Sequence, residues 1–351
     1  MASSNSNAKR DKIDRIIARL SKRIEEGAFE EQYEAAQETR VVSARYVKQA
    51  NYDAAIDILF SVSQTLLKKG QGGSGGDLAC LMVDVYKQAQ LKPSDAASKN
   101  RLLTCLRLFG SREPTRKKYI KEIVDWSRKF GEYPAGDPEL HHVIGSLYAA
   151  EHETDEAERH LVLGTKDSAE VLTKMEYEWY KEDDSHTAPL YAARAILPYL
   201  LVANVRAANT SYRAFASALA AENQGLGVVQ DVSSQSADIR VFPSLPLLNF
   251  LGLLLLAIQK GSPELYRQLR NKYGNHVQEL GGAWDTALEM IGEMYFGIQR
   301  PRQSNPLFDM MGSLFGGGGL PGAGGGGSGG NRGQTPVRRV EGGGPTADAL
   351  D

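Results

Sequence analysis

His152, Glu156 and His160 stand at i, i+4 and i+8, a spacing that would put two imidazoles and a carboxylate on one helical face, where they could ligate zinc. The metalloprotease pattern needs a second histidine where Glu156 sits, so the stretch HETDE does not meet it. His152 also falls in an expected interhelix turn, and the plainer reading is a set of surface-exposed side chains. Asp183, Asp184, Ser185 and His186 place a nucleophile beside a base in sequence. Catalytic triads are assembled by the fold from separated segments, and no strand-to-helix elbow of the G-x-S-x-G kind surrounds Ser185. This segment reads as a polar turn with a helix N-cap. The glycine stretches lack the lysine–serine or lysine–threonine ending of a phosphate loop, and no strand precedes them.

Chemistry at surfaces has more support. Lys9, Arg10, Lys12, Arg15, Arg19, Lys22 and Arg23 share a first helix, and Arg112, Arg116, Lys117, Lys118, Lys121, Arg128 and Lys129 crowd a second region. Acidic neighbours dilute both, so they read either as solvated helix faces or as docking surfaces for an acidic protein. Nucleic acid is disfavoured because no aromatic residues interleave with the charges as a stacking platform. The whole chain is also nearly neutral, with 41 Lys and Arg against 43 Asp and Glu. In NPLFDMMGSLF (305–315), Leu307, Phe308, Met310, Met311, Leu314 and Phe315 could either dock on the last helix or contribute a few kcal/mol to partner binding at ~25 cal/mol per Å².

The elements that must present these residues are helical. Ile13, Ile16, Ile17 and Leu20 share one helical face, as do Leu78, Leu81, Met82 and Val85, and Leu102, Leu103, Leu106 and Phe109. Pro93-Ser94-Asp95, Glu113-Pro114 and Ser262-Pro263-Glu264 mark helix starts. The pattern predicts about fourteen helices joined by short turns. The run LPLLNFLGLLLLAI, Leu245 to Ile258, is too short to span a bilayer and carries Pro246 and Asn249. It reads as a helix buried between neighbours, with no direct membrane insertion. The N-terminus lacks the apolar stretch of a signal peptide. Cys80 and Cys105 read as buried thiols in a reducing compartment, so the expected location is the cytosol.

Glycine marks expected boundaries. GQGGSGG at 70–76 reads as a flexible loop, and the glycine-rich segment from 301 to 351 as a disordered tail. Residues 1–9 read as a flexible N-terminus, 10–150 and 151–300 as two halves of one α-solenoid. Gly225 to Phe242 breaks the helical pattern. Val228, Val229 and Val232 precede a polar SSQS turn, with Ile239 and Val241 after it, predicting a β-hairpin at about 226–242. Tyr46, Ala55 and Leu59 repeat as Tyr148, Ala157 and Leu161 and as Tyr199, Ala208 and Tyr212. Each copy reads as a helix end, a tight turn and a helix start, the grammar of tetratricopeptide-like pairs. The fold class expected is therefore all-α: an α-solenoid of tetratricopeptide-like helix pairs with one β-hairpin insertion.

The stretches RYVKQANYDAAIDIL (45–59), ARAILPYLLVANVRAANTSY (193–212) and FPSLPLLNFLGLLLLAIQK (242–260), in that order, resemble the Golgi-to-ER traffic protein four family, helical adaptors in guided entry of tail-anchored membrane proteins. The glycine-rich tail departs from that pattern. The resemblance implies a non-enzymatic adaptor with no cofactor and no metal. Its N-terminal half would contact a homodimeric targeting ATPase transiently. Its C-terminal half would hold the N-terminal domain of a ubiquitin-like-domain protein, which recruits a client-loaded co-chaperone. For the ATPase the expected residues are Arg15, Arg19, Arg45, Lys48, Asp77, Asp84 and Lys87. For the ubiquitin-like partner they are Val228, Val229, Ile239, Val241, Phe242, Leu247, Leu248, Phe250, Trp284 and Tyr295. Rival readings keep the solenoid in another cytosolic complex, use the histidines in a metalloenzyme, or bind RNA.

Overall fold

The computed structural model describes residues 2–222, 230–234 and 237–299. The chain begins with α1 (Ala2–Glu26), α2 (Phe29–Lys48), α3 (Tyr52–Lys68), α4 (Gly72–Gln88), α5 (Ala96–Leu108), α6 (Pro114–Phe130) and α7 (Pro138–Ala150). It continues with α8 (Thr154–Leu161), α9 (Ser168–Tyr180), a 3₁₀ turn (Ser185–Thr187), α10 (Ala188–Leu201) and α11 (Val205–Glu222). Strands β1 (Gln230–Ser234) and β2 (Ala237–Val241) follow, then α12 (Pro246–Lys260), α13 (Pro263–Lys272), α14 (Gly274–Gln278) and α15 (Asp285–Phe296). Helices touch the next along the chain and the next but one: α1 with α2 and α3, α2 with α4, α3 with α5, α4 with α6, α9 with α11, α10 with α12. That pattern is an α-solenoid, and residues 1–300 form one compact unit. The tail expected after 300 lies outside the described residues.

The repeat seen in the sequence is a repeated helix stop. The Asn51 N–H donates to Tyr46 O (2.9 Å) and the Ala50 N–H to Val47 O (2.9 Å). Together these bonds make a Schellman closure that satisfies two carbonyls the helix leaves open. The same pair of bonds closes α7 at Tyr148 and α10 at Tyr199. It also closes α3 at Leu66, α4 at Tyr86 and α12 at Ala257, where no tyrosine–alanine pattern flags it. The tyrosine contributes its backbone carbonyl to the turn, while its ring serves elsewhere: the Tyr199 hydroxyl donates to Leu161 O (3.1 Å) and the Tyr86 hydroxyl to Ser98 O (3.2 Å). The residue after the left-handed position then starts the next helix. Asn51 Oδ1 accepts from the Ala54 N–H and Asn204 Oδ1 from the Ala207 N–H. Ala55, Ala157 and Ala208 follow, all fully buried, so small side chains let each helix fold back closely.

Two boundaries differ from the expectation. α1 starts at Ala2, so residues 2–9 are its first turns; no glycine or proline among them stops the helix from propagating. Gly72 to Gly76 belong to α4 and are not a flexible loop. A Cβ on Gly75 would sit 2.9 Å from Leu67 Cγ, and one on Gly76 would sit 2.8 Å from the Phe109 ring and 2.9 Å from Thr115 Cβ. The Ser63 hydroxyl donates to Gly75 O across the same seam (2.7 Å). These glycines permit close contact with α3 and with the residues around the start of α6.

Expected starts hold: Asp95, Glu113 and Ser262 each cap the helix that follows. β1 and β2 pair antiparallel, with Val232 opposite Ile239, and the Asn249 side chain clips the hairpin to α12. Its Oδ1 accepts from the Phe242 N–H (2.8 Å) and its Nδ2 donates to Phe242 O (2.7 Å). That is why an amide interrupts the apolar run of α12. Among the described residues, no helix is long and apolar enough to cross a membrane.

Two substitutions test this reading by thermal unfolding. In a helix interior Gly→Ala ordinarily gains about 1 kcal/mol, but Gly76→Ala should lose about 1–3 kcal/mol from overpacking and lower Tm. Gln90 and Ala203 are exposed and hold left-handed conformations at φ 53° and 61°. The left-handed strain of about 1–2 kcal/mol exceeds the roughly 0.4–1 kcal/mol entropy cost of glycine. Gln90→Gly and Ala203→Gly should therefore each raise Tm; a fall in both would mean that the turns carry no strain.

Candidate interaction surfaces

α2 turns its small residues inward. Ala35, Ala36, Thr39 and Ser43 are buried, while Phe29, Tyr33 and Val41 are 66%, 51% and 62% exposed. Phe29, Tyr33, Gln37, Val41 and Arg45 recur every four residues and so run down one outer face, with Lys48 in the last turn. This stripe combines apolar side chains with two exposed cations. Its apolar members, Phe29, Tyr33 and Val41, are not among the residues expected from the sequence. The available signal was the alanine and serine face directly opposite.

The other charges expected at this end of the chain are partly committed. Asp77 pairs with Arg40 (2.9 Å) and Lys118 (3.7 Å), joining α4 to α2 and α6. Lys87 pairs with Asp84 (3.2 Å) and with Glu122 on α6, which raises its pKa against the opposing effect of burial. Arg19 pairs with Glu38 across α1 and α2. Arg15, Arg45 and Lys48 are exposed and carry no ion pair among the described residues. In the second basic cluster, Arg116 is buried, forks onto Glu151 at 2.8 and 2.7 Å and lies over the Tyr148 ring, so it holds α6 to the end of α7.

The hairpin end needs correction. Phe242, Leu248, Phe250 and Trp284 are buried in the chain's own core, where Phe250 stacks near Tyr273 and Trp284. Their surface is consumed by folding and none is left for a partner on this conformation. The Tyr295 hydroxyl donates to Leu200 O (2.8 Å) and ties α15 to α10. Val241 and Leu247 remain partly accessible, Ile239 sits in β2, and Val228 and Val229 lie outside the described residues. A groove of about 310 Å³ runs between α12 and α13, lined by Leu253, Leu256, Ala257, Leu265 and Leu269 with Lys260 and Lys272. Leu265 is 41% exposed. Sequence reasoning treated α12 as buried all round; its excess leucines were the signal for this second apolar face.

The polar groups singled out for chemistry fall apart in space or turn inward. His152 is exposed in the α7–α8 turn. His160, expected at the surface, meets His141 with their Nδ1 atoms 2.9 Å apart, and burial with the neighbouring imidazole brings its pKa down to about 4. Ser185 and His186 lie in the exposed 3₁₀ turn. Among the described residues, no group of three His, Cys, Asp or Glu side chains could hold a metal. Burial pushes the Cys80 and Cys105 thiols up to about 11 and about 12. Glu176 on α9 is fully buried, with Glu158 of α8 and Arg194 of α10 around it. Desolvation, then the Glu158 carboxylate, raises its pKa well above the carboxylate range, against the pull of Arg194.

The family profile described as Golgi to ER traffic protein 4 matches residues 49–315. Golgi to ER traffic protein 4 of Aspergillus fumigatus is 52% identical over 319 residues, covering 88% of this chain and 91% of its own. Its Schizosaccharomyces pombe counterpart is 36% identical over 298 residues, covering 84% and 95%. The crystal structure of C. therm. Get4 matches with a TM-score of 0.82 at 69% identity, over 88% of this chain and 96% of that one.

The two buried sites tilt stability in opposite directions with pH. An unfolded glutamate releases its proton near 4.5 while Glu176 keeps it, so this site loses stability as pH rises above 4.5. An unfolded histidine gains a proton near 6.5 while His160 refuses it to about 4, so that site loses stability as pH falls below 6.5. Each slope is at most about 1.4 kcal/mol per pH unit. In urea unfolding across about pH 5–8, Glu176→Gln should remove the decline on the alkaline side. An unchanged profile would mean that Glu176 is ionised in the folded chain.

Proposed function

Because the chain belongs to the Golgi to ER traffic protein 4 family, we propose that it is a non-catalytic adaptor in the post-translational targeting of tail-anchored membrane proteins to the endoplasmic reticulum. It acts in the cytosol. It bridges a homodimeric targeting ATPase and a ubiquitin-like-domain protein, and the latter recruits the co-chaperone that carries the client. The single observation that carries this reading is the presence of two exposed apolar, lysine- or arginine-flanked surfaces on helices far apart in the chain, α2 toward its start and the α12–α13 groove toward residue 270.

The α2 stripe supports the ATPase side. Phe29, Tyr33 and Val41 offer anchors, and Arg15, Arg45 and Lys48 offer unpaired cations. Aromatic anchors contribute most to affinity and rim charges set association rate and salt sensitivity, a combination that suits a transient contact. The groove supports the ubiquitin-like side, as do the partly accessible Val241 and Leu247. An apolar groove between two helices accepts an amphipathic helix and suits a lasting contact.

The reading separates the two partners by mutation. Val41→Glu with Arg45→Glu should weaken ATPase binding at least tenfold and leave the ubiquitin-like partner bound. Leu265→Asp should do the reverse. All three positions are exposed, so circular dichroism should stay native. Calorimetric titration with each purified partner measures both arms. Variants that weaken both partners equally, or neither, would sink the assignment.

A further inference from the structure

A third surface is built around Trp179, away from both surfaces assigned above. A groove of about 850 Å³ lies between α9 and the α7–α8 turn. Val171, Met175 and Trp179 of α9 and Ala149 and Ala150 of α7 form its apolar floor. Trp179 is 37% exposed, an unusual position for an indole without a partner.

The indole is held from within the chain. The Arg194 guanidinium lies 4.9 Å from its ring centroid, and Tyr191 meets it edge-on at 5.4 Å. Arg194 is fixed in turn: its Nε donates to Glu158 Oε1 (2.7 Å), its Nη2 reaches Asp155 Oδ1 at 3.4 Å, and its Nε lies 3.4 Å from Glu176 Oε2. Arg194 of α10 is thus held by the carboxylates of Asp155 and Glu158 on α8 and by the buried carboxyl of Glu176 on α9, and ion pairs of this kind give little net stability. What it does give is a fixed orientation for Trp179.

The rim is acidic. Glu182 lines the groove and Glu153 sits between the lining residues His152 and Thr154; neither has an ion pair among the described residues. Glu178 is shared with Lys181 (2.8 Å), and Lys174 is the one cation in the lining. The lining positions of α9 recur at spacings of three and four from Val171 to Trp179, a ridge of about 12 Å at 1.5 Å per residue. A ridge of that form packs against another helix. We propose that this groove docks a short basic amphipathic helix of a partner protein, its apolar side chains against Met175 and Trp179 and its lysines or arginines toward Glu153 and Glu182.

A labelled 14-residue leucine–lysine amphipathic peptide tests this directly, beside its leucine–glutamate counterpart. By fluorescence anisotropy at low salt, the lysine peptide should bind and the glutamate peptide should not, and binding should weaken as salt rises. Emission of the exposed Trp179 should shift to the blue, since Trp126 and Trp284 are already buried. Trp179→Ala should weaken binding at least tenfold. Glu182→Lys should weaken it at least threefold, and this exposed change keeps the test valid if the tryptophan variant unfolds. Glu279→Lys, far along the chain, should leave binding unchanged. No binding, equal binding of the glutamate peptide, or the same loss in Glu279→Lys as in Glu182→Lys would overturn the proposal.

Discussion

Each helix of a solenoid ends with carbonyls that have no partner, and the chain must satisfy them within a few residues while reversing direction. Here one solution recurs at the ends of α2, α3, α4, α7, α10 and α12: two backbone bonds close the helix around a left-handed residue. Four of those left-handed positions hold Ala50, Gln90, His152 and Ala203, which are not glycine. At Ala50, His152 and Ala203 the next helix starts immediately and buries its first alanine, Ala54, Ala157 or Ala207, which offsets the local strain. Pairing of neighbouring helices, and hence every surface they display, follows from that closure.

Packing between pairs then relies on polar heads as well as on apolar area. The Trp126 indole N–H donates to Leu91 O (3.0 Å), the Tyr119 hydroxyl to Leu102 O (3.0 Å) and the Tyr266 hydroxyl to Leu288 O (2.6 Å). Buried aromatics thereby fill volume and satisfy carbonyls of a neighbouring element with one side chain. Arg116 with Glu151, and Arg194 with Glu158, do the same with charge. A core organised this way leaves each helix pair a distinct outer face, which is the property an adaptor needs.

The surfaces differ in kind. The α2 stripe is open and flanked by cations. The α12–α13 groove is narrow, with Lys260 and Lys272 at its edge. The Trp179 groove is larger and edged by uncommitted carboxylates. Under the proposed function, these differences in charge and shape would keep a partner from the wrong surface, because like charges repel.

Much of this was legible in the amino-acid order. Helical periodicity, the caps at Asp95, Glu113 and Ser262, the hairpin after α11 and the recurring tyrosine–alanine turns are set by interactions within a few residues, so local reading reaches them. The reading failed where a residue's role depends on what lies across the seam. Gly75 and Gly76 look like a loop until Leu67, Phe109 and Thr115 press on them. Phe250 and Trp284 look like partner anchors until each is found covering the other. Phe29, Tyr33 and Val41 draw no expectation from the sequence, and they face outward because the alanines of α2 take the inner face. Periodicity tells which residues share a face, but only the arrival of a neighbouring helix decides which face is covered, and that choice is made by contacts between segments far apart in the chain.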